Sequence, residues 1–393
     1  MRWTQYVIFL TVLFCCSCSK KYVVFDLNDE RVERIKHDRS TKTSIITDSL
    51  YIKRSAVKYI RAHIHFCLPK DYSFDKNTDL VFQAEELLKE ANRRLFENDP
   101  MNLPLGNRTS VYDSKIRWAF ASTTISQSVF IHRYQPDHNF IKKGKHANRY
   151  DRSQLDSLLR DKENVVNIFL LPFDANQLAS GEQKIEITGI ALGTIVKLAG
   201  FFESSKPISE FAGILNHELG HILGLRHTWN TNDFCPDTPR NANCWNFDNT
   251  APCDKAVSNN LMDYNAYQSA ITPCQIRRMH DNIAKANSRL QRLMNWPHQN
   301  TLSSIVIDHH EVWNRPLIIE NDIRIIRDGT LEVSSALLLA PGVKIEVDKG
   351  ASLILKKTKW QISSEEAWEG IVLKRGAKIY SDTESQLPGV RRN

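Results

Sequence analysis

In residues 56–66, AVKYIRAHIHF, apolar and polar side chains nearly alternate, which predicts a strand with one buried face. The period then changes. In 79–96, DLVFQAEELLKEANRRLF, residues Leu80, Ala84, Leu87, Leu88, Ala91 and Leu95 mark one face of a helix, and Asp79 is placed to cap it. Ser114–Phe120 (SKIRWAF) reads as a second strand. Residues 133–163 are polar and rich in Asp, Asn and Lys, and read as loop with room for one short helix. Asn164–Pro172 (NVVNIFLLP) is a continuous β-branched run, the pattern of a central strand covered on both faces. Thr188–Gly200 (TGIALGTIVKLAG) is punctuated by glycine and fits an edge strand. A second helix starts near Pro207, a residue suited to a first turn. This order predicts an α/β (α+β) domain over 56–300, a mixed twisted sheet with the last helix packed beneath it.

From about residue 301 the pattern shortens. Strand-like runs follow charged residues and glycine in RDGTLEV (327–333), DKGASLIL (348–355) and KRGAKIY (374–380). Gly329, Gly350 and Gly376 are 21 and 26 residues apart. A strand-plus-turn unit at this period predicts an all-β region, 301–393, built as stacked coils of a parallel β-solenoid. A small antiparallel sandwich with glycine turns is the alternative. No polar cap closes the last coil, so a short, separately capped or truncated solenoid is expected.

The chain has 393 residues and a formal charge of +7, without a block of like charges, so composition gives no nucleic-acid footprint. The first residues are not fold. Arg2 precedes the apolar run Tyr6–Phe14, too short for a permanent membrane span, and CCSCSKK follows. This order resembles a bacterial lipoprotein signal over 1–18, with Cys18 or Cys16 as the lipidated residue; simple secretion is the alternative. Residues 19–55 are polar and read as a linker or short pro-segment. Export would let disulfides persist. Of eight cysteines, Cys67 stands alone in a strand and reads as a buried thiol. Cys235, Cys244, Cys253 and Cys274 lack C-x₂-C spacing, so two disulfides are expected there, and three pairings stay open.

The candidate chemistry lies in 217–227, HELGHILGLRH. Histidines four apart lie on one face of a helix and can reach one ion, while Phe211, Leu215, Leu219 and Ile222 form a separate apolar stripe. Gly224 permits a left-handed exit that carries His227 back as a third ligand. Three neutral imidazoles suit zinc and leave it one open position. Glu218 would stand beside the ion as a general base. An isolated HExxH also occurs in helices that hold no metal; the added Gly and third His favour the metal.

HExxHxxGxxH resembles the metzincin zinc peptidases, and NLMDY (260–264) resembles the pappalysin, or cytophagalysin-like, branch. HTW (227–229), PDTP (236–239) and ITPCQIRRMH (271–280) fit the same branch. The resemblance implies zinc on His217, His221 and His227, Met262 as a hydrophobic floor, and Tyr264 as an oxyanion donor. It also implies a candidate calcium loop at Asp237 and Thr238, for which a tight Asp-initiated turn is the alternative. Disulfide pairing does not carry over, because Cys274 follows Pro273 whereas many relatives place the last cysteine before the Thr. Substrate would be a protein or peptide laid along the 188–200 edge. The expected protein is an extracytoplasmic zinc endopeptidase, surface-anchored or secreted. The alternative is an inert surface module in which the solenoid does the work.

Overall fold

Two short strands, β1 (Val24–Asp26) and β2 (Ser44–Ile45), and a helix, α1 (Asp48–Arg54), precede the predicted domain. The computed structural model describes residues 24–26, 43–70, 79–134, 155–172, 188–202, 207–229, 232–295, 304–362, 368–385 and 389–392. The signal stretch with Cys16 and Cys18 lies outside the described residues. No helix among the described residues is long and apolar enough to cross a membrane.

The alternating stretch becomes β3 (Lys58–Pro69), and the helical stripe becomes α2 (Leu80–Glu97). Asp79 caps α2 by accepting from the N–H groups of Val81 (2.9 Å) and Phe82 (3.2 Å). All six apolar residues assigned to its inner face are buried. There follow β4 (Ile116–Phe120), β5 (Val129–Tyr134), β6 (Val166–Leu171), β7 (Thr188–Leu192) and β8 (Ile195–Ala199). The motif helix α3 (Ile208–Ile222), α4 (Pro273–Ala284) and β9 (Met294–Asn295) complete the domain. The main path of the sheet is β4-β3-β6-β8-β7, with β5 and β9 also paired to β3. Only β7 on β8 and β9 on β3 are antiparallel, so the sheet is mixed as expected. Ile60, Ala62, Ile64, Phe66 and Leu68 of β3 face the core shared with α2 and α3. Cys67, Phe169, Leu171 and Ile195 form a smaller cluster on the opposite face.

Two strand assignments change. Thr188–Gly200 is a hairpin, because Gly193 takes φ +68° and reverses the chain, so that β7 alone forms the edge. Strand β5 runs into the stretch expected to be loop. Its sequence, VFIHRY, opens with three apolar residues and pairs in parallel with the end of β3.

The C-terminal region is a three-sided parallel solenoid, and the antiparallel alternative is excluded by its register. Its strands are β10 (Ile305–Ile307), β11 (His310–Trp313), β12 (Leu317–Ile319), β13 (Ile323–Ile325), β14 (Thr330–Val333) and β15 (Ala336–Leu339). They continue as β16 (Lys344–Val347), β17 (Ser352–Leu355), β18 (Lys359–Ile362), β19 (Gly370–Leu373), β20 (Lys378–Ser381) and β21 (Val390–Arg392). One sheet is β10-β13-β16-β19-β21, the second contains β11, β14, β17 and β20, and the third is β12-β15-β18. Identical registers stack aliphatic side chains into interior ladders. Ile323, Ile345 and Ile371 form one, and Leu331, Leu353 and Ile379 another, all fully buried. Register also corrects the repeat: Asp328, Gly350 and Gly376 are the equivalent left-handed positions, with φ +70°, +80° and +89°. Gly329 is needed for a different reason, since a Cβ there would strike the Ile307 carbonyl.

Residues 43–55 do not form a loose linker. Strand β2 pairs with β11, and β1 pairs with β20, so N-terminal strands cover both ends of the second solenoid sheet. This supplies an edge cover that the C-terminal sequence itself lacks. Helix α1 packs on α4, and α4 packs on β12 and β15. Arg315 joins them, binding Asp48 Oδ1 (2.8 Å) and Asp281 Oδ2 (2.5 Å). Beneath it, Lys58 Nζ donates to Glu320 Oε2 at 2.9 Å, a buried pair between β3 and the solenoid. The two regions thus share one core.

Candidate metal centre and active site

Helix α3 buries Phe211, Leu215 and Leu219 in the core, and Ile222 packs at its border. This fixes the rotation of the helix and turns His217 and His221 to the other side. Gly224 has φ +88° and donates its N–H to His221 O, while Leu225 N–H returns to Gly220 O. The left-handed exit expected from the sequence therefore forms and brings His227 back.

The three Nε2 atoms converge. They are 3.1 Å apart between His217 and His221, 3.0 Å between His221 and His227, and 3.3 Å between His217 and His227. Donors on one face of a tetrahedral zinc at ~2.0–2.1 Å stand ~3.3 Å apart. The tautomers agree with this use. His217 Nδ1–H donates to Leu261 O at 2.6 Å, and His221 Nδ1–H to Leu225 O at 3.1 Å, leaving Nε2 of each as a lone pair. Facing lone pairs repel unless a cation lies between them, so the donor set fits zinc. Burial holds the rings neutral. It depresses His217 to about 3, aided by the neighbouring His221, and His227 to about 4. Trp229 stacks on His227, with ring centroids 5.1 Å apart and planes at 15°.

Glu218 is buried, and loss of solvent raises its carboxyl to about 8, against a backbone hydrogen bond from Ala191 that favours the charged form. Ala191 belongs to β7, so the edge strand touches the acid directly. Gly189 makes this approach possible: a Cβ there would meet Glu218 Oε1 at 2.8 Å and also strike Ile214. In the sequence alone this glycine is only strand punctuation.

Met262 is fully buried under α3. Its sulfur lies where a Cβ on Gly220 would fall, so the glycine inside HELGH and the methionine form one contact. The turn is held by Asn260, which accepts from Met262 N–H (2.8 Å) and exchanges amide bonds with Gln275. Gln275 and Thr272 form the capping box of α4. Asp263, which sequence reading did not assign, is fully buried. It accepts from the N–H and Oγ1 of Thr228 (3.2 and 2.5 Å), from Asn241 Nδ2 (2.9 Å) and from Ser258 Oγ (2.5 Å). A fully buried acid reads as a surface residue until its partners are placed. Tyr264 is half exposed, its ring 4.7 Å from that of His227, and burial followed by the Glu218 charge raises its phenol.

Cys235 pairs with Cys274 and Cys244 with Cys253, as two disulfides, while Cys67 is free and buried. The Asp237 carboxylate accepts from Thr272 Oγ1 (2.8 Å) and Cys274 N–H (3.1 Å), and Thr238 donates to Asp233 and to Cys235 O. Both residues therefore serve as ties within the protein. Among the described residues, the ligand cluster that includes Asp237 joins it to the disulfide sulfurs of Cys235 and Cys274, a donor set that does not support the calcium loop.

A histidine triad on a helix and its exit turn, with a glutamate beside it and a methionine floor below, defines a metzincin metallopeptidase centre. Residues 152–284 match the family model Peptidase_M43, described as pregnancy-associated plasma protein-A. The match makes this segment similar to metalloendopeptidases of the pappalysin type. No curated protein matches. Among solved structures, mature mirolysin of Tannerella forsythia with a cleaved peptide matches at 16% identity and TM-score 0.41, over 61% of this chain and 96% of that one. Mirolysin in complex with a compound gives 17% and 0.40, over 61% and 96%. A promirolysin mutant of Tannerella forsythia gives 16% and 0.42, over 68% and 92%.

Proposed function

We propose that this protein is a surface-anchored or secreted zinc endopeptidase with Glu218 as its general base. The observation that carries the reading is the convergence of the Nε2 atoms of His217, His221 and His227 beside the buried Glu218. Zinc held there supplies a Lewis acid that lowers the pKa of water from ~15.7 to ~7 and polarises a carbonyl. Glu218 takes a proton from the attacking water on its carboxylate and returns it to the leaving amide nitrogen. Burial alone raises the proton affinity of Glu218, and a dication held by the three histidines would favour the ionised carboxylate that the base role requires. Tyr264 stands at the same opening, and its hydroxyl donates to the oxyanion that develops on the substrate. An extended peptide lies along β7, the edge of the sheet among the described residues, where backbone hydrogen bonds hold it regardless of sequence.

Export follows from the lipoprotein-like leader and is supported by the two disulfides. The test is metal analysis and casein digestion by wild type and Glu218→Ala. About one zinc per chain in both, with cleavage lost only in the variant, supports the reading. Folded, zinc-loaded wild type without peptidase activity would overturn it in favour of a working solenoid with an inert catalytic domain.

A further inference from the structure

The solenoid repeats a basic turn. The turns from β13 to β14, β16 to β17 and β19 to β20 have equal length, so Arg327, Lys349 and Arg375 occupy one position in three successive coils. All three are exposed. Their stems stack on the turns: Arg327 Cγ lies 3.5 Å from where a Gly350 Cβ would sit, and Lys349 Cγ 3.1 Å from that of Gly376. Adjacent coils of a parallel sheet are ~4.8 Å apart, so the cations form a ladder at that step.

Beside the ladder is a cleft of about 720 Å³, lined by Arg324, Arg327, Lys349, Lys374 and Lys378 together with Asp328 and Asp348. Five cations against two carboxylates leave an excess of three. Asp348 is already engaged at the floor, by Arg324 Nη2 at 2.9 Å and Lys374 Nζ at 2.7 Å. Asp328 lies 3.8 Å from Arg327 Nε, and the excess of three cations stands with both carboxylates counted.

We infer that this ladder and cleft bind an extended polyanionic glycan carrying sulfate or phosphate groups. Charge of one sign, repeated at the coil step, matches a chain with regularly spaced anions. The lining has no aromatic side chain, whereas single-stranded nucleic acid binding relies on bases stacked on aromatic rings. The site is separate from the peptidase centre and would bring the enzyme to a glycan-rich surface.

The test is heparin binding to the full-length protein, titrated at several salt concentrations. Arg327→Ser/Lys349→Ser/Lys378→Ser removes exposed cations only, and thermal melting and peptide cleavage should match wild type. Heparin affinity should fall about tenfold or more, with a shallower dependence on salt. A control, Lys89→Ser/Arg93→Ser on the exposed side of α2, should bind as wild type does. Equal loss in the control, no binding by wild type, or tighter binding of a single-stranded oligonucleotide than of heparin would overturn the inference.

Discussion

The hydroxyl of Thr228, one residue past the third histidine, donates to the carboxylate of Asp263, one residue past the floor methionine, at 2.5 Å. This bond ties the loop that delivers His227 to the turn that carries Met262. Asp263 is therefore a positioning residue. Asp263→Ala should release zinc to a chromogenic chelator with an affinity ~10–100-fold weaker than wild type, and Asp263→Asn should fall between them. Unchanged zinc affinity in the alanine variant would show that the loop is held by other contacts.

Gly220 and Met262 share one space. Gly220→Ala should destabilise the protein by about 1–3 kcal/mol through overpacking, read as a lowered denaturant midpoint. Adding Met262→Ala should recover part of that loss, since the sulfur is what the new methyl meets. A double variant no better than the sum of the singles would refute a shared contact.

Tyr264 gives a kinetic prediction. Tyr264→Phe should lower kcat roughly 100-fold with KM little changed, the behaviour expected for a donor used only in the transition state. A rise in KM at constant kcat would assign it to substrate binding instead.

Acid sensitivity should arise on the far face of the sheet. His65 stacks between Phe130 and Phe169, and burial depresses it to about 3, while its Nε2 bonds to Asn167 Oδ1 at 2.9 Å. It is neutral when folded, but takes up a proton below ~6.5 when unfolded. Its contribution to stability is thus complete above pH ~6.5 and declines as pH falls from there towards about 3. With zinc in excess, the urea midpoint should drop between pH 7.5 and 5, and His65→Phe should flatten the drop. A midpoint level across that window would exclude this group as the cause.

Lys58 and Glu320 give the last prediction. Glu320→Ala leaves a buried lysine unpaired and should cost about 3–5 kcal/mol, whereas Lys58→Met/Glu320→Leu should be much less damaging. Equal losses would mean that the site tolerates neither polarity nor its removal.

Local chemistry was the most legible part of this protein. Apolar spacing places α2 residue by residue, and the offsets of His217, His221, Gly224 and His227 bring the three imidazoles together, because helix geometry and one glycine exit turn fix which of these side chains meet. Contacts between distant segments were not legible. Gly189 is ordinary strand punctuation until β7 is laid against Glu218, and Asp263 is an ordinary acid until Thr228, Asn241 and Ser258 surround it. The solenoid period is visible in the sequence, but Asp328 rather than Gly329 holds the left-handed position, and only strand register tells the two apart.

The placement of β1 on β20 and β2 on β11 has a consequence for biogenesis. Strand β1 must wait until β20, far along the chain, has been made before it finds its partner. The coils can stack on their neighbours as they emerge, but the second sheet gains its outer strand β1 only after β20 has been made, so that pairing is a late event in folding.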